Sequence, residues 1–210
     1  MINRNESFKE YLRFYPITTV IVALNLVMFV YTSAIGGLRN PSIVYEFGGI
    51  INSKIDDGEY YRILSYAFIH NGLTHLIFNM GAILLLAPPI EKILGKTKYI
   101  LFFLICIFST FLFIYFFSSG GVGASGFDFG LLGLFLFLIL FRGKIVDSES
   151  KKVIITFILL GWISTLVMPA VSISGHLGGF IAGFLSGILF KIKHPSSQKN
   201  FIEKETHPFS

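Results

Sequence analysis

The chain has 210 residues, 53% of them hydrophobic and only 14% charged, and its mean hydropathy is +0.72. Soluble domains carry roughly 25% charged residues, and a domain of this size has no interior large enough for 24 phenylalanines and their apolar companions, so a water-soluble globule and a disordered chain are both excluded. The lone cysteine, Cys106, excludes an internal disulfide and a cysteine-based zinc site, and no metal or other cofactor is expected.

Charge-free runs mark the elements in chain order. A tail with Arg4, Lys9 and Arg13 leads into 25 residues without Asp, Glu, Lys or Arg, which predicts a helix near 17–35. That run is longer than the apolar core of a signal peptide, so it is expected to be retained. A mixed loop over 36–62, with Tyr and Phe among Glu46, Asp56, Asp57 and Glu59, is expected to rest partly in the membrane interface. The 28 residues between Arg62 and Glu91 predict a helix near 73–94, with Pro88-Pro89 expected to kink or end it early. The 29 residues between Lys98 and Asp128 contain the breaker cluster Ser118-Ser119-Gly120-Gly121, which limits the next helix to about 99–117. A further helix runs from about 124 to 141, and the 38 residues between Lys152 and Lys191 read as a hairpin, about 153–168 and 174–191, turned at Pro169. About 20 residues cross the hydrocarbon, and runs this long and evenly apolar do not suit barrel strands. The expected fold class is an all-α membrane protein, a six-transmembrane-helix bundle over 17–191 between cytoplasmic tails at 1–16 and 192–210.

Lysine and arginine set the orientation. Of the 17, 14 fall on the two tails and on the second-to-third and fourth-to-fifth connections, and only Arg39, Lys54 and Arg62 fall on the other side. Both termini are thus expected in the cytoplasm of a multi-pass cell-membrane protein. The formal charge of +5 then reflects topology, and no nucleic-acid partner is expected.

Polar side chains inside a bilayer are costly and mark function by default. Three clusters stand at the outer ends of their helices: His70 to Asn79 with His75, Gly123-Ala124-Ser125-Gly126, and Ser174-Gly175-His176. His75 and Asn79 are four apart and share a helix face. Serine, two histidines and asparagine at one depth suggest acyl transfer. A serine hydroxyl needs a base to take its proton, histidine is the usual base, and the oxyanion needs preorganised donors. Ser125 at a glycine-flanked helix start is the candidate nucleophile and His176 the candidate base, with His75 and Asn79 candidate oxyanion donors. Taken singly, each has a plainer reading: a serine bonded to its own helix, a packed interfacial histidine, an asparagine linking two helices. Gly175, Gly179, Gly183 and Gly187 recur every four residues and read as a close-packing face, for which Gly126 and Gly130 offer a matching groove.

These motifs resemble the rhomboid intramembrane serine proteases of the bacterial six-span type, over about 60–191. The family's Gly-x-Ser-Gly motif matches Gly123-Ala124-Ser125-Gly126, its His-x4-His-x3-Asn pattern matches His70, His75 and Asn79, and its histidine followed by spaced glycines matches Gly175-His176 through Gly183. The resemblance implies a Ser125–His176 dyad without a third acid. It also implies an oxyanion site from the Ser125 N–H, His75 and Asn79, a mainly structural His70, and Phe129 packed beside His176. Tyr61-Arg62 matches the family's Trp-Arg pair with tyrosine in place of tryptophan. Substrates are expected to be single-span membrane proteins, cut in or next to the span by an endopeptidase whose site lies near the outer face. The bilayer is the other expected partner.

Asp128 departs from the pattern, since an apolar residue is usual there. It is expected to be protonated and to serve as a helix-linking hydrogen-bond donor, with a role in orienting His176 as the alternative. Zinc proteases of the membrane need His-Glu-x-x-His, and His70 and His75 are five apart without that glutamate. The binding-class alternative is a catalytically silent rhomboid-like protein that holds transmembrane helices. A transporter would spread ionisable groups through the midplane.

Overall fold

The computed structural model describes residues 1–168 and 171–192. Pro169 and the tail from 193 lie outside them. A short α1 (Phe8–Phe14) is started by a capping box in which Ser7 and Glu10 satisfy each other's backbone N–H groups. Pro16 then opens α2 (Pro16–Ala34) at the position where its missing N–H costs nothing. The 36–62 connection is folded: α3 (Pro41–Gly48), a two-residue β1 (Ile50–Ile51), α4 (Asn52–Asp56) and α5 (Arg62–Ser65). Next come α6 (Leu73–Leu94), α7 (Lys96–Phe117), β2 (Gly120–Gly121), α8 (Ser125–Phe141), α9 (Ser148–Val167) and α10 (Ile173–Leu189).

The six long helices fall on the charge-free runs. By length and composition α2, α6, α7 and α9, of 19 to 22 residues, can each cross a membrane, while α8 and α10 have 17 residues each. α9 starts five residues before the charge-free run does, because Asp147 caps it by accepting the Ser150 N–H at 2.9 Å and the helix then carries Lys151 and Lys152 outward.

α6 does not end early at its prolines and continues to Leu94. Pro88 lacks the N–H that would bond to the carbonyl of Leu84. Arg4 fills that place, its Nη2 donating to Leu84 O at 2.9 Å. A second long-range contact starts α2. The Glu91 carboxylate of α6 accepts from Ile17 N at 2.9 Å and from Thr18 N at 2.8 Å, and takes the Thr18 hydroxyl at 2.6 Å. A carboxylate there meets the unpaired donors and the positive end of the helix dipole.

Arg62, 1% exposed, organises the folded connection. Its guanidinium donates to the carbonyls of Tyr45, Glu46 and Gly49 at 2.7–2.8 Å and to Glu59 at 2.7 Å. The Tyr61 hydroxyl and Arg62 both bond Glu59, which holds that carboxyl below its usual range, in that order of importance. β1 pairs antiparallel with β2, Ile50 opposite Gly121 and Ile51 opposite Gly120, so this connection is fastened to the entry of α8.

The core is α8, buried along nearly its whole length. α10 lies on it backbone to backbone. A Cβ at Gly179 would strike the carbonyl oxygen of Gly126, and one at Gly183 that of Gly130. Gly187 faces the Phe137 ring and Gly175 faces Ile114 of α7. α9 stands outermost, with only Ser150, Ile154 and Thr165 buried.

Candidate active site

β2 leads into the turn that starts α8. Gly123 holds φ at +115°, a conformation side chains avoid, and its N–H is fixed by Tyr66 O at 2.9 Å. A Cβ there would lie 2.6 Å from the ring of His75, so glycine is required both by the turn and by its neighbour. Ser125 follows as the first residue of α8, and among the described residues no side chain caps this helix start. Gly126 sits against Thr110 of α7, where no larger residue fits.

On α10, Ser172 caps the helix through the Gly175 N–H at 3.1 Å, and His176 stands in the first turn. The glycine seam below holds α10 against α8 and brings His176 Nε2 to 2.9 Å from Ser125 Oγ. The imidazole stacks on Phe129, centroids 3.9 Å apart at 15°, and is only 8% exposed. Its other nitrogen, Nδ1, lies 2.7 Å from the Thr165 hydroxyl of α9. Such an arrangement can pass a proton from a serine hydroxyl to an imidazole, and the oxygen so released is a nucleophile.

His75, in the first turn of α6, stands beside this pair through its contact with Gly123, two residues before Ser125. His70 is buried behind it, with ring centroids 5.0 Å apart at 65°, and among the described residues neither His70 nitrogen has a hydrogen-bond partner. Asn79, one turn beyond His75, is buried, and its amide donates to His75 O at 2.8 Å. No hydrogen bond among the described residues joins His75 or Asn79 to Ser125. The structure thus brings Ser125, His176 and Phe129 into direct contact, sets Gly123, His75 and His70 beside them, and leaves Asn79 tied to its own helix.

Asp128 corrects an expectation. It is buried, makes no side-chain hydrogen bond among the described residues, and its Oδ1 has no partner, so it links no helices. Sequence reasoning missed Thr165. Its signal in the sequence is weak, one of several hydroxyls on α9 beside Thr156 and Ser164, eleven residues before His176. Trp162, one turn earlier, is also part of the site, its ring edge on Phe129 at 5.1 Å.

Fold and site together define a multi-pass helical membrane protein with a serine–histidine pair between two of its helices. A family model described as the Rhomboid domain matches residues 57–193. The chain is 32% identical over 190 residues to YdcA of Bacillus subtilis, provisionally named a rhomboid protease, covering 85% of this chain and 90% of that protein. It is 31% identical over 163 residues to the rhomboid protease GluP of the same organism, 77% of this chain but 32% of GluP. With RHOMBOID-like protein 4 of Arabidopsis thaliana it shares 33% over 150 residues, 68% of this chain and 38% of that one. The chain belongs to the rhomboid family.

Proposed function

We propose that this chain is an intramembrane serine endopeptidase that hydrolyses a peptide bond in or next to the transmembrane segment of single-span membrane proteins. The observation that carries the reading is the 2.9 Å contact between His176 Nε2 and Ser125 Oγ, made between two helices in a family whose relatives include named proteases. In this reading Ser125 Oγ attacks the scissile carbonyl as His176 Nε2 takes its proton. The tetrahedral oxyanion accepts hydrogen bonds from the uncapped Ser125 N–H at the start of α8, from His75 and from Asn79. The Asn79 amide has a second N–H beyond the one given to His75 O, which leaves it a donor for this purpose. The imidazolium then protonates the leaving amine, and water, deprotonated by His176, cleaves the acyl-serine.

A substrate helix hides its peptide bonds, so it must unwind locally to enter, which favours helix-weakening residues below the cut, with a small residue at the cut itself. In the proposed topology six helices between 17 and 191 span the bilayer, with tails at 1–16 and 192–210 in the cytoplasm. The distribution of 14 Lys and Arg against three supports that orientation and puts the site near the outer face. The test is covalent labelling by a fluorophosphonate in mild detergent, which needs no knowledge of the substrate. Labelling of the wild type that disappears in both Ser125→Ala and His176→Ala supports the reading. A folded wild type that takes no label refutes it and favours a silent family member that binds transmembrane helices.

A further inference from the structure

We infer that Thr165 of α9 is a positioning residue that holds His176 in the tautomer with its proton on Nδ1, leaving Nε2 free to accept the proton of Ser125. The inference rests on the protease reading for its consequence, and on hydrogen-bond geometry for its content.

Two proton arrangements are available to the chain Gly161–Thr165–His176–Ser125. The Thr165 Oγ1 lies 2.7 Å from Gly161 O, its own helix carbonyl four residues back, and 2.7 Å from His176 Nδ1. Ser125 Oγ has His176 Nε2 as its hydrogen-bond partner at 2.9 Å and no other among the described residues. In the first arrangement Thr165 donates to Gly161 O and accepts the proton of Nδ1, and Ser125 donates to Nε2. All three donors are then satisfied. In the second, Thr165 donates to Nδ1 and Nε2–H donates to Ser125, and the serine proton is left without a protein acceptor. Ser125 is part-buried, so the second arrangement gives up one protein hydrogen bond at its hydroxyl, a loss on the scale of one neutral hydrogen bond. Thr165 is 1% exposed and His176 8%. The first arrangement is also the one that general-base chemistry needs, since only an unprotonated Nε2 can take the serine proton.

The packing around Thr165 fixes where its hydroxyl stands. Gly161 lies against Phe129, a Cβ there meeting the ring at 3.3 Å, and Trp162 abuts both Phe129 and Phe180 at 5.1 and 5.6 Å. Phe129 is also the plate on which His176 stacks. One aromatic ring therefore sets both the plane of the imidazole and the register of the helix that carries Thr165. A second hydroxyl, Ser164, also donates to Gly161 O but is exposed and does not reach the imidazole.

The experiment has two independent arms on the full chain in detergent. The first is nitrogen-15 NMR of histidine-labelled protein, with the His176 signals assigned by loss in His176→Asn. Nδ1–H is expected in the wild type, with a shift towards Nε2–H in Thr165→Val, which keeps the shape and removes the hydroxyl. A wild type that carries Nε2–H overturns the inference, and this observation needs no variant to fold. The second arm is the kinetics of fluorophosphonate labelling. In Thr165→Val the maximal inactivation rate is expected to fall about tenfold, the scale of one lost neutral hydrogen bond, with half-saturating probe concentration unchanged. Thr165→Ser, which keeps the hydroxyl, restores the rate. A merely structural loss would lower the melting temperature without splitting rate from half-saturation, and would not change the tautomer. A Thr165→Val protein labelled at the wild-type rate overturns the positioning role. An Nδ1–H wild type that takes no label at all refutes the protease reading while upholding the tautomer assignment.

Discussion

Replacing Gly179 by alanine tests how closely the two helices must approach for the proposed chemistry. The added Cβ lands on the backbone of Gly126, against its carbonyl oxygen and 2.8 Å from its carbonyl carbon, with Thr110 Oγ1 at 3.0 Å. Ordinary contact starts near 3.4 Å, so clearing the carbon alone parts α10 from α8 by about 0.6 Å, and clearing the oxygen requires more. Backbone atoms cannot rotate away as a side-chain tip would. Gly179 is three residues from His176 and Gly126 adjoins Ser125, so the parting is passed directly to the pair. The 2.9 Å contact then reaches at least about 3.5 Å, at or beyond the outer limit of a hydrogen bond. Overpacking of this kind costs about 1–3 kcal/mol of stability, and loss of general-base geometry costs about a hundredfold in rate. Fluorophosphonate labelling and thermal unfolding in detergent read both quantities. Gly81→Ala is the control. Among the described residues, no heavy atom outside its own stretch of helix lies within 4 Å of its Cβ, so the change is neutral or stabilising by up to about 1 kcal/mol. A Gly179→Ala protein that labels and melts like the wild type would refute the close-approach argument.

Glu91→Ala removes the carboxylate that caps α2 and leaves the Ile17 and Thr18 N–H groups unmet, with a loss of about 1–3 kcal/mol in thermal unfolding and an unchanged labelling rate, since Glu91 is remote from Ser125. A Glu91→Ala protein with the wild-type melting temperature would show that the cap contributes nothing. Acid should loosen the connection between α2 and α6. The Glu59 carboxyl is held below its usual range by Tyr61 and Arg62, so its contribution is present above the unfolded value near 4.5 and is lost as pH falls through the folded one. Limited proteolysis around Tyr60-Tyr61 is therefore expected to accelerate below about pH 4 relative to pH 7 in the wild type, and Glu59→Gln should cleave faster at pH 7 with little further change on acidification.

What was legible in the sequence is what local chemistry dictates. Helices occupy the charge-free runs because hydrocarbon excludes charge, and Gly123 and Gly126 announce the turn and the close approach because only glycine fits them. What was illegible is what distant segments do for each other. Arg4 supplies the donor that Pro88 lacks across 80 residues, so α6 survives its two prolines. Glu91 looks like a flanking charge until it is found capping α2 across 73 residues. The start of α9 was misjudged because a helix runs past the charge-free zone when Asp147 caps it and its lysines point outward. Asp128 misled because a carboxylate in an apolar run suggests a partner, and none among the described residues reaches it.

The site shows why a polar pair can be set so exactingly among apolar helices. A side-chain interface has rotamers and can relax, whereas the seam of Gly126, Gly130, Gly179 and Gly183 is backbone on backbone. Its spacing fixes the rise of α10 against α8, and therefore the height of His176 against Ser125, before either polar side chain adopts a rotamer. The seam leaves the rotation of the imidazole undetermined, and Phe129 limits that by stacking on it. Stacking leaves one choice open, since a flat ring in a fixed plane still has two tautomers. The third contact, from Thr165, bears on that choice, and it comes from a helix outside the seam. Position, plane and tautomer of the proposed base are thus set by three different elements. Damage to each should be separable: distance in Gly179→Ala, orientation in Phe129→Leu, and tautomer in Thr165→Val.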